Sequence, residues 1–128
     1  MMTVSGDSRP AVLVIDDSDV DREAMAAVLT RSGFQVHALP SPIGATRVAR
    51  EHQVQVVVID QNLAAMEGSK LATLFRTNPV MRHIRVVLVS GNDESAMADV
   101  AKRAQADAFV SKRELYASLA STVKRLLS

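Results

Sequence analysis

Short apolar blocks alternate with amphipathic stretches along the chain. Ala11-Val12-Leu13-Val14-Ile15, Val54-Gln55-Val56-Val57-Val58-Ile59 and Arg85-Val86-Val87-Leu88-Val89 are mostly β-branched and of strand length. Near-continuous runs of this kind belong to strands covered on both faces. Phe34 to Leu39 and Ala108-Phe109-Val110 read as two further short strands, the first of them less apolar and nearer an edge. Between these blocks the period becomes helical. Met25, Val28 and Leu29 predict a helix that begins at the capping residues Asp16-Asp17-Ser18-Asp19 and stops at Ser32-Gly33. Pro40-Ser41-Pro42 breaks the chain before a helix from about Ile43 to Glu51, with Val48 and several alanines as its apolar face. Leu71, Leu74 and Phe75 place a helix between Gly68 and Thr77, ended by Asn78-Pro79. Met97, Val100, Ala101 and Ala104 make a thin stripe on a helix capped by Asn92 or Asp93, and Leu115, Leu119, Val123 and Leu126 mark a terminal helix.

Five strands, each followed by a helix, imply right-handed crossovers and a parallel sheet with helices on both faces. The expected class is therefore α/β, a three-layer sandwich. With 128 residues the chain is long enough to bury a core without metal or disulfide support, and a flexible arm over residues 1–10 followed by one domain over 11–128 is expected. The absence of cysteine removes disulfides, thiolate metal sites and cysteine nucleophiles, and suits a reducing compartment. Fifteen basic residues against fourteen acidic ones leave a net charge of +1, too little to recruit nucleic acid or anionic lipid. The N-terminal residues have no apolar signal region, and no apolar run is long enough to span a bilayer. A cytoplasmic protein with no membrane and no direct nucleic-acid partner is expected.

Parallel strands bring their carboxyl ends to one rim, where chemistry collects in open α/β sheets. Asp16 and Asp17 follow the first strand, Asp60 ends the third, Ser90 the fourth, and Lys112 follows the fifth. Carboxylates held a few ångströms apart repel, and they stay ionised together at neutral pH only when a cation compensates them. Mg²⁺, hard and oxygen-preferring, is the natural candidate. A carboxylate beside a metal and an ammonium can attack a phosphoryl group to give an acyl phosphate, while a hydroxyl at Ser90 donates to a phosphoryl oxygen.

Plainer readings compete with this one. Asp17, Ser18 and Asp19 can serve simply as helix caps. Asp17-x-Asp19-x-Asp21 mimics a calcium loop, but Arg22 stands where glycine is needed and Val28 where the bidentate glutamate belongs. Gly68-Ser69-Lys70 lacks the upstream glycine of a P-loop. His37, His52 and His83 lie on different elements without ligand spacing and read as surface or boundary residues. Lys102-Arg103 and Lys124-Arg125 read as solvated helix faces.

The ordered set Asp16-Asp17, Asp60, Ser90 and Lys112 resembles the receiver domain of two-component response regulators, including single-domain regulators of the chemotaxis type. The resemblance covers the chain from Ala11 onward and implies a flavodoxin-like (βα)5 fold with strand order 2-1-3-4-5. It implies Asp60 as phosphoacceptor, with Asp16, Asp17, Asp60 and the Asn62 backbone carbonyl as Mg²⁺ ligands. Ser90 and Lys112 are then the phosphoryl contacts, Ser90 and Phe109 the switch pair, and Asn62 and Asn92 the positions that tune hydrolysis. Met66 and Gly68 fit the tail of the phosphoacceptor motif. The implied partners are a histidine kinase or phosphotransfer protein, and a downstream protein reached through the face of the fourth helix, fifth strand and fifth helix. No output domain is expected, and no enzyme activity beyond self-phosphorylation and autodephosphorylation. Two departures stand out. Leu63-Ala64 replaces the usual Met-Pro, which predicts a less rigid loop, and Arg113 replaces the usual proline after Lys112. A cis peptide before a non-proline residue costs about 3–4 kcal/mol, so a trans Lys112-Arg113 bond and a reshaped loop are expected. Two rivals remain: a pseudo-receiver that binds partners regardless of phosphorylation, and a small phosphohydrolase with Asp17 as nucleophile and Asp19 as acid.

Overall fold

Alternate residues of the central strands are buried on opposite faces of one sheet. The computed structural model describes residues 8–91 and 94–128. Its elements are β1 (Ala11–Ile15), α1 (Asp19–Arg31), β2 (Gln35–Leu39), α2 (Ala45–Glu51), β3 (Val56–Asp60), α3 (Gly68–Thr77), β4 (Arg85–Ser90), α4 (Glu94–Arg103), β5 (Ala108–Ser111) and α5 (Ala120–Leu127). A 3-10 turn (Lys112–Glu114) and a π-helical turn (Leu115–Leu119) join β5 to α5. The strands are parallel, in the order β2-β1-β3-β4-β5. Leu13, Ile15, Val57, Ile59, Val86 and Leu88 pack with residues of α2, α3 and α4, among them Ala49, Phe75 and Met97. Val12, Val14, Val56, Val58, Val87 and Val89 pack on the other side with Met25 and Leu29 of α1 and with Leu115, Leu119 and Val123. Burial on both faces is why these strands show no polar alternation.

Most predicted elements are present, and the boundary shifts have local causes. α2 begins at Ala45 rather than Ile43, because Gly44 takes a left-handed conformation (φ +82°) ahead of it and leaves Ile43 82% exposed. The second strand begins at Gln35 because the Phe34 N–H turns back to the Leu29 carbonyl at 3.1 Å and closes α1. The Val54 N–H closes α2 in the same way on Ala49 at 2.9 Å, so the third strand opens at Val56. Leu74 was expected on the buried face of α3 but is 53% exposed, and Ala72 is buried in its stead beside Leu71 and Phe75. The terminal helix is irregular where it was expected to be regular. Leu115, Leu119 and Val123 are spaced four apart, which twice overshoots a 3.6-residue turn, and the wider π turn takes up the excess so that all three stay buried. His37, on β2, and His52, just after α2, lie at the boundary and the surface as expected, and their rings stack with centroids 3.9 Å apart. The expected caps Asn92 and Asp93 lie outside the described residues, as does most of the arm over 1–10. Among the described residues no helix is long and apolar enough to cross a membrane.

At the end of the sheet opposite the candidate rim, Asp107 ties three elements together. Its Oδ2 accepts from the Val86 N–H at 2.7 Å and from the Arg76 guanidinium, while its own N–H donates to the Val86 carbonyl at 2.8 Å. Arg76 also donates to the carbonyls of Arg82 and Gln105. Asp107→Ala orphans the Val86 N–H and takes the carboxylate from the largely buried Arg76 guanidinium, and we expect it to lower unfolding stability by about 2–3 kcal/mol in a urea titration.

Candidate functional site

Adjacency of β1 and β3 decides which side chains meet at the carboxyl rim. Asp16 follows β1 directly; its N–H donates to the Leu39 carbonyl at 3.2 Å and its side chain is fully buried. Asp16 Oδ1 accepts from the Ser18 N–H at 2.9 Å, and Ser18 in turn caps α1 by accepting from the Asp21 N–H. Asp60, the last residue of β3, is 3% exposed and accepts from the Asn62 N–H through Oδ1 at 3.3 Å. Asp17 is exposed, and its Oδ2 accepts from the Ala64 N–H at 2.8 Å. Proline at position 64 would lack that donor, so the departure from Met-Pro adds a tie between two loops where a looser loop was expected.

One carboxylate oxygen each from Asp16, Asp17 and Asp60 lie within 4.8 Å of one another. Asp16 Oδ2 is buried and has no aligned hydrogen-bond donor, although the Lys112 ammonium stands 3.0 Å away. A buried, underused carboxylate oxygen among hard oxygen donors fits a divalent cation of the Mg²⁺ type.

Ser90 is buried at the end of β4, in register with Ser111 of β5. The peptide after Lys112 is trans, as expected without proline, and the chain enters its 3-10 turn at once, with Ser111 Oγ accepting from the Arg113 N–H at 3.2 Å. From there the Lys112 Nζ reaches Asp21 Oδ2 at 2.7 Å, Asp16 Oδ2 at 3.0 Å and Asp60 Oδ1 at 3.5 Å. The ammonium thus reaches the rim from a 3-10 turn. Phe109 is half-buried and packs at the margin of the α2-α3-α4 core. Asn92 lies outside the described residues, and the Asn62 side chain is exposed.

Burial, and after it the charge of Asp16, pushes the Asp60 carboxyl above the usual carboxylate range, against the lowering effect of Lys112 and of the Asn62 N–H. For Lys112, burial disfavours the ammonium, but the hydrogen bond to Asp21, the close approach of Asp16 Oδ2 and the charges of Asp60 and Asp16 outweigh it, so its pKa rises. The protein groups alone thus leave the rim short of positive charge on the Asp60 side.

Two residues of the site escaped the sequence reading. Asp21 entered it only as part of a failed calcium loop, although its place one turn beyond Asp17, on the helix that starts at the rim, was a usable signal. Gln61, buried beside Asp60, carries no pattern at all. It accepts from the Ser69 N–H through Oε1 at 2.8 Å, and its carbonyl accepts from the Gly68 N–H at 2.9 Å, so it fastens the start of α3 to the end of β3. Gly68 makes this approach possible, because a Cβ there would lie 2.3 Å from the Asp60 carbonyl oxygen.

Gly68→Ala forces backbone away from the Asp60 peptide, and we expect a loss of about 3 kcal/mol in chemical denaturation. Asp60→Asn is expected to act in the opposite direction. A carboxyl whose folded pKa lies above its unfolded value contributes stability that is complete below the unfolded pKa and is lost as pH rises through the folded one. Metal-free Asp60→Asn should therefore unfold at a higher denaturant concentration than wild type at pH 7, with the gap closing as the pH falls below the ordinary carboxylate range. A gap that is constant with pH would show that the carboxylate charge is not its source.

Comparison with known proteins agrees with this geometry. Residues 12–124 match the family model described as the response regulator receiver domain. The two-component response regulator ORR8 of Oryza sativa subsp. indica is 33% identical over 87 residues, which is 67% of this chain and 72% of that protein. The transcriptional regulatory protein CseB of Streptomyces coelicolor is 28% identical over 116 residues, 91% of this chain but 48% of that protein. Among solved structures, a LuxR-family two-component response regulator from Aurantimonas sp. SI85-9A1 superposes with a TM-score of 0.82 at 25% identity, covering 94% of this chain and 86% of that one. The Vibrio cholerae chemotaxis protein CheY4 shares the fold, with a TM-score of 0.77 at 18% identity over 94% of this chain and 97% of that one. The chain belongs to the response regulator receiver domain family.

Proposed function

We propose that residues 11–128 form one receiver unit that takes a phosphoryl group from a phosphohistidine onto Asp60. The observation that carries this reading is the meeting of three carboxylates, Asp16, Asp17 and Asp60, with the Lys112 ammonium 3.5 Å from Asp60. Receiver domains interact with histidine kinases or phosphotransfer proteins, which supply such donors. An Asp60 oxygen attacks phosphorus, the O–P bond forms as the P–N bond to the donor imidazole breaks, and the imidazole leaves with the electron pair and takes up a proton. Lys112 and the Ser90 hydroxyl then face the phosphoryl oxygens as donors. Asp16, Asp17, Asp60 and the Asn62 carbonyl would hold Mg²⁺, which when bound supplies positive charge for the phosphoryl oxygens. The family resemblance makes Asn62 and Asn92 the positions that tune how long the acyl phosphate lasts, and the exposed Asn62 side chain is open to an incoming water.

For the output, we propose that phosphorylation draws Ser90 toward the phosphoryl group and shifts the half-buried Phe109, which biases the α4-β5-α5 face toward a downstream protein. Partial burial leaves the ring room to turn. Nothing in this scheme calls for a membrane or for direct contact with nucleic acid, and the cysteine-free composition suits the cytoplasm. The phosphohydrolase reading gains no support from Asp19, whose exposed carboxylate pairs with Arg22 of its own helix.

The test is incubation with acetyl phosphate and Mg²⁺ followed by intact-mass measurement. Wild type is expected to gain one phosphoryl group that is labile to base, and Asp60→Asn to gain none. A wild type that stays unlabelled while still binding its partners would favour a phosphorylation-independent interaction module.

A further inference from the structure

The Lys112 ammonium is bonded best to a residue that the receiver motif does not include. Of its three carboxylate neighbours among the described residues, only Asp21 Oδ2 meets it in a short hydrogen bond, at 2.7 Å. Asp16 Oδ2 is near but poorly aligned, and Asp60 Oδ1 at 3.5 Å is beyond a good N–H···O distance. Asp21 sits in the first turn of α1, with its backbone N–H fixed by Ser18 and its side chain 36% exposed at the rim. The chain around Lys112 has no proline to set the loop, only the 3-10 turn capped by Ser111. A flexible lysine leaving such a turn, with two buried carboxylates ahead of it, is drawn onto Asp60 and Asp16 unless something holds it back.

We propose that Asp21 is a positioning residue that parks the Lys112 ammonium short of Asp60. Parked there, the ammonium leaves the Asp60 oxygens to a divalent cation and to the incoming phosphorus, and is one pivot away from the phosphoryl oxygens once they arrive. Asp21 touches neither phosphorus nor metal in this scheme and acts only through Lys112. The proposal rests on the reading of Asp60 as phosphoacceptor for its effect on labelling, but its effect on metal binding does not need that reading.

A double-mutant cycle on the full chain separates the two. Mg²⁺ affinity is measured by calorimetry, and the rate of labelling by acetyl phosphate at saturating Mg²⁺ by mass spectrometry. Asp21→Asn is expected to weaken Mg²⁺ binding and slow labelling by about three- to tenfold, because the released ammonium competes for Asp60; in a Lys112→Met background it is expected to change neither by more than about twofold. Asp21→Glu, which keeps the charge, should recover most of the loss. Circular dichroism checks that α1 persists, which the Ser18 cap on the backbone favours. Equal losses in both backgrounds would mean that Asp21 acts as a ligand or as bulk negative field, and would overturn the proposal, as would no loss from Asp21→Asn in the otherwise wild-type chain. If wild type takes no phosphoryl group, the phosphoacceptor reading falls and the Mg²⁺ cycle alone decides on Asp21. If wild type binds no Mg²⁺ either, the positioning role falls with it.

Discussion

Two buried carboxylates share one ammonium, and the rim of this sheet is arranged around that shortage. Asp16 is fully buried and Asp60 nearly so, each at the end of a strand paired in parallel with the other's, with Ile15 opposite Ile59 in register. Burying two like charges side by side opposes folding, and in a protein of marginal stability it persists only where the surrounding structure imposes it. The apolar runs of β1 and β3 impose it here, since a register slip would expose a face that both helix layers cover. Lys112 has to come from β5, two strands beyond β3, a separation of roughly 10 Å at normal strand spacing. The lysine stem covers part of that span, and the Asp60 side chain and the 3.5 Å gap between Nζ and Oδ1 cover the rest.

The rest of the rim is made largely of backbone, and this explains why small residues matter there. Gly68 allows α3 to begin against the Asp60 peptide, and Gln61 ties that junction with both its carbonyl and its side chain. Ala64 supplies a plain N–H to Asp17. Each contact narrows the positions open to a carboxylate without adding charge. The acids are thus positioned by groups whose side chains do no chemistry, which separates the stability of the rim from its reactivity.

How much of this was legible depended on range along the chain. The β-branched runs announced the central strands because burial on both faces leaves no alternation to misread, and ordered spacing of Asp16, Asp17, Asp60, Ser90 and Lys112 announced the rim. Boundaries were set instead by single backbone bonds, such as Phe34 N–H to Leu29 and Val54 N–H to Ala49, which no side-chain pattern encodes. Leu74 has the right spacing and the wrong face, since a short helix on a sheet needs only a narrow stripe and Ala72 filled it. The His37–His52 stack joins separate segments with no pattern to announce it, and for the Asp21–Lys112 pair the sequence offers only Asp21's place one turn beyond Asp17.

The loop after β5 offers a choice between two ways of aiming a lysine. A fixed turn aims it through the main chain and leaves its direction settled whatever the charge around it. Here the peptide is trans and the turn is a brief 3-10 segment, so direction falls to the charged end of the side chain. An ion pair that is partly open to water contributes about 0–1 kcal/mol, enough to bias where the ammonium rests and too little to lock it. A group placed this way answers to changes in nearby charge. Adding dianionic oxygens to Asp60 would present a stronger acceptor than a single half-exposed carboxylate, and the ammonium would move to it without any rearrangement of the backbone. The aim of Lys112 is then set by the state of the site itself, which a rigid turn would not permit.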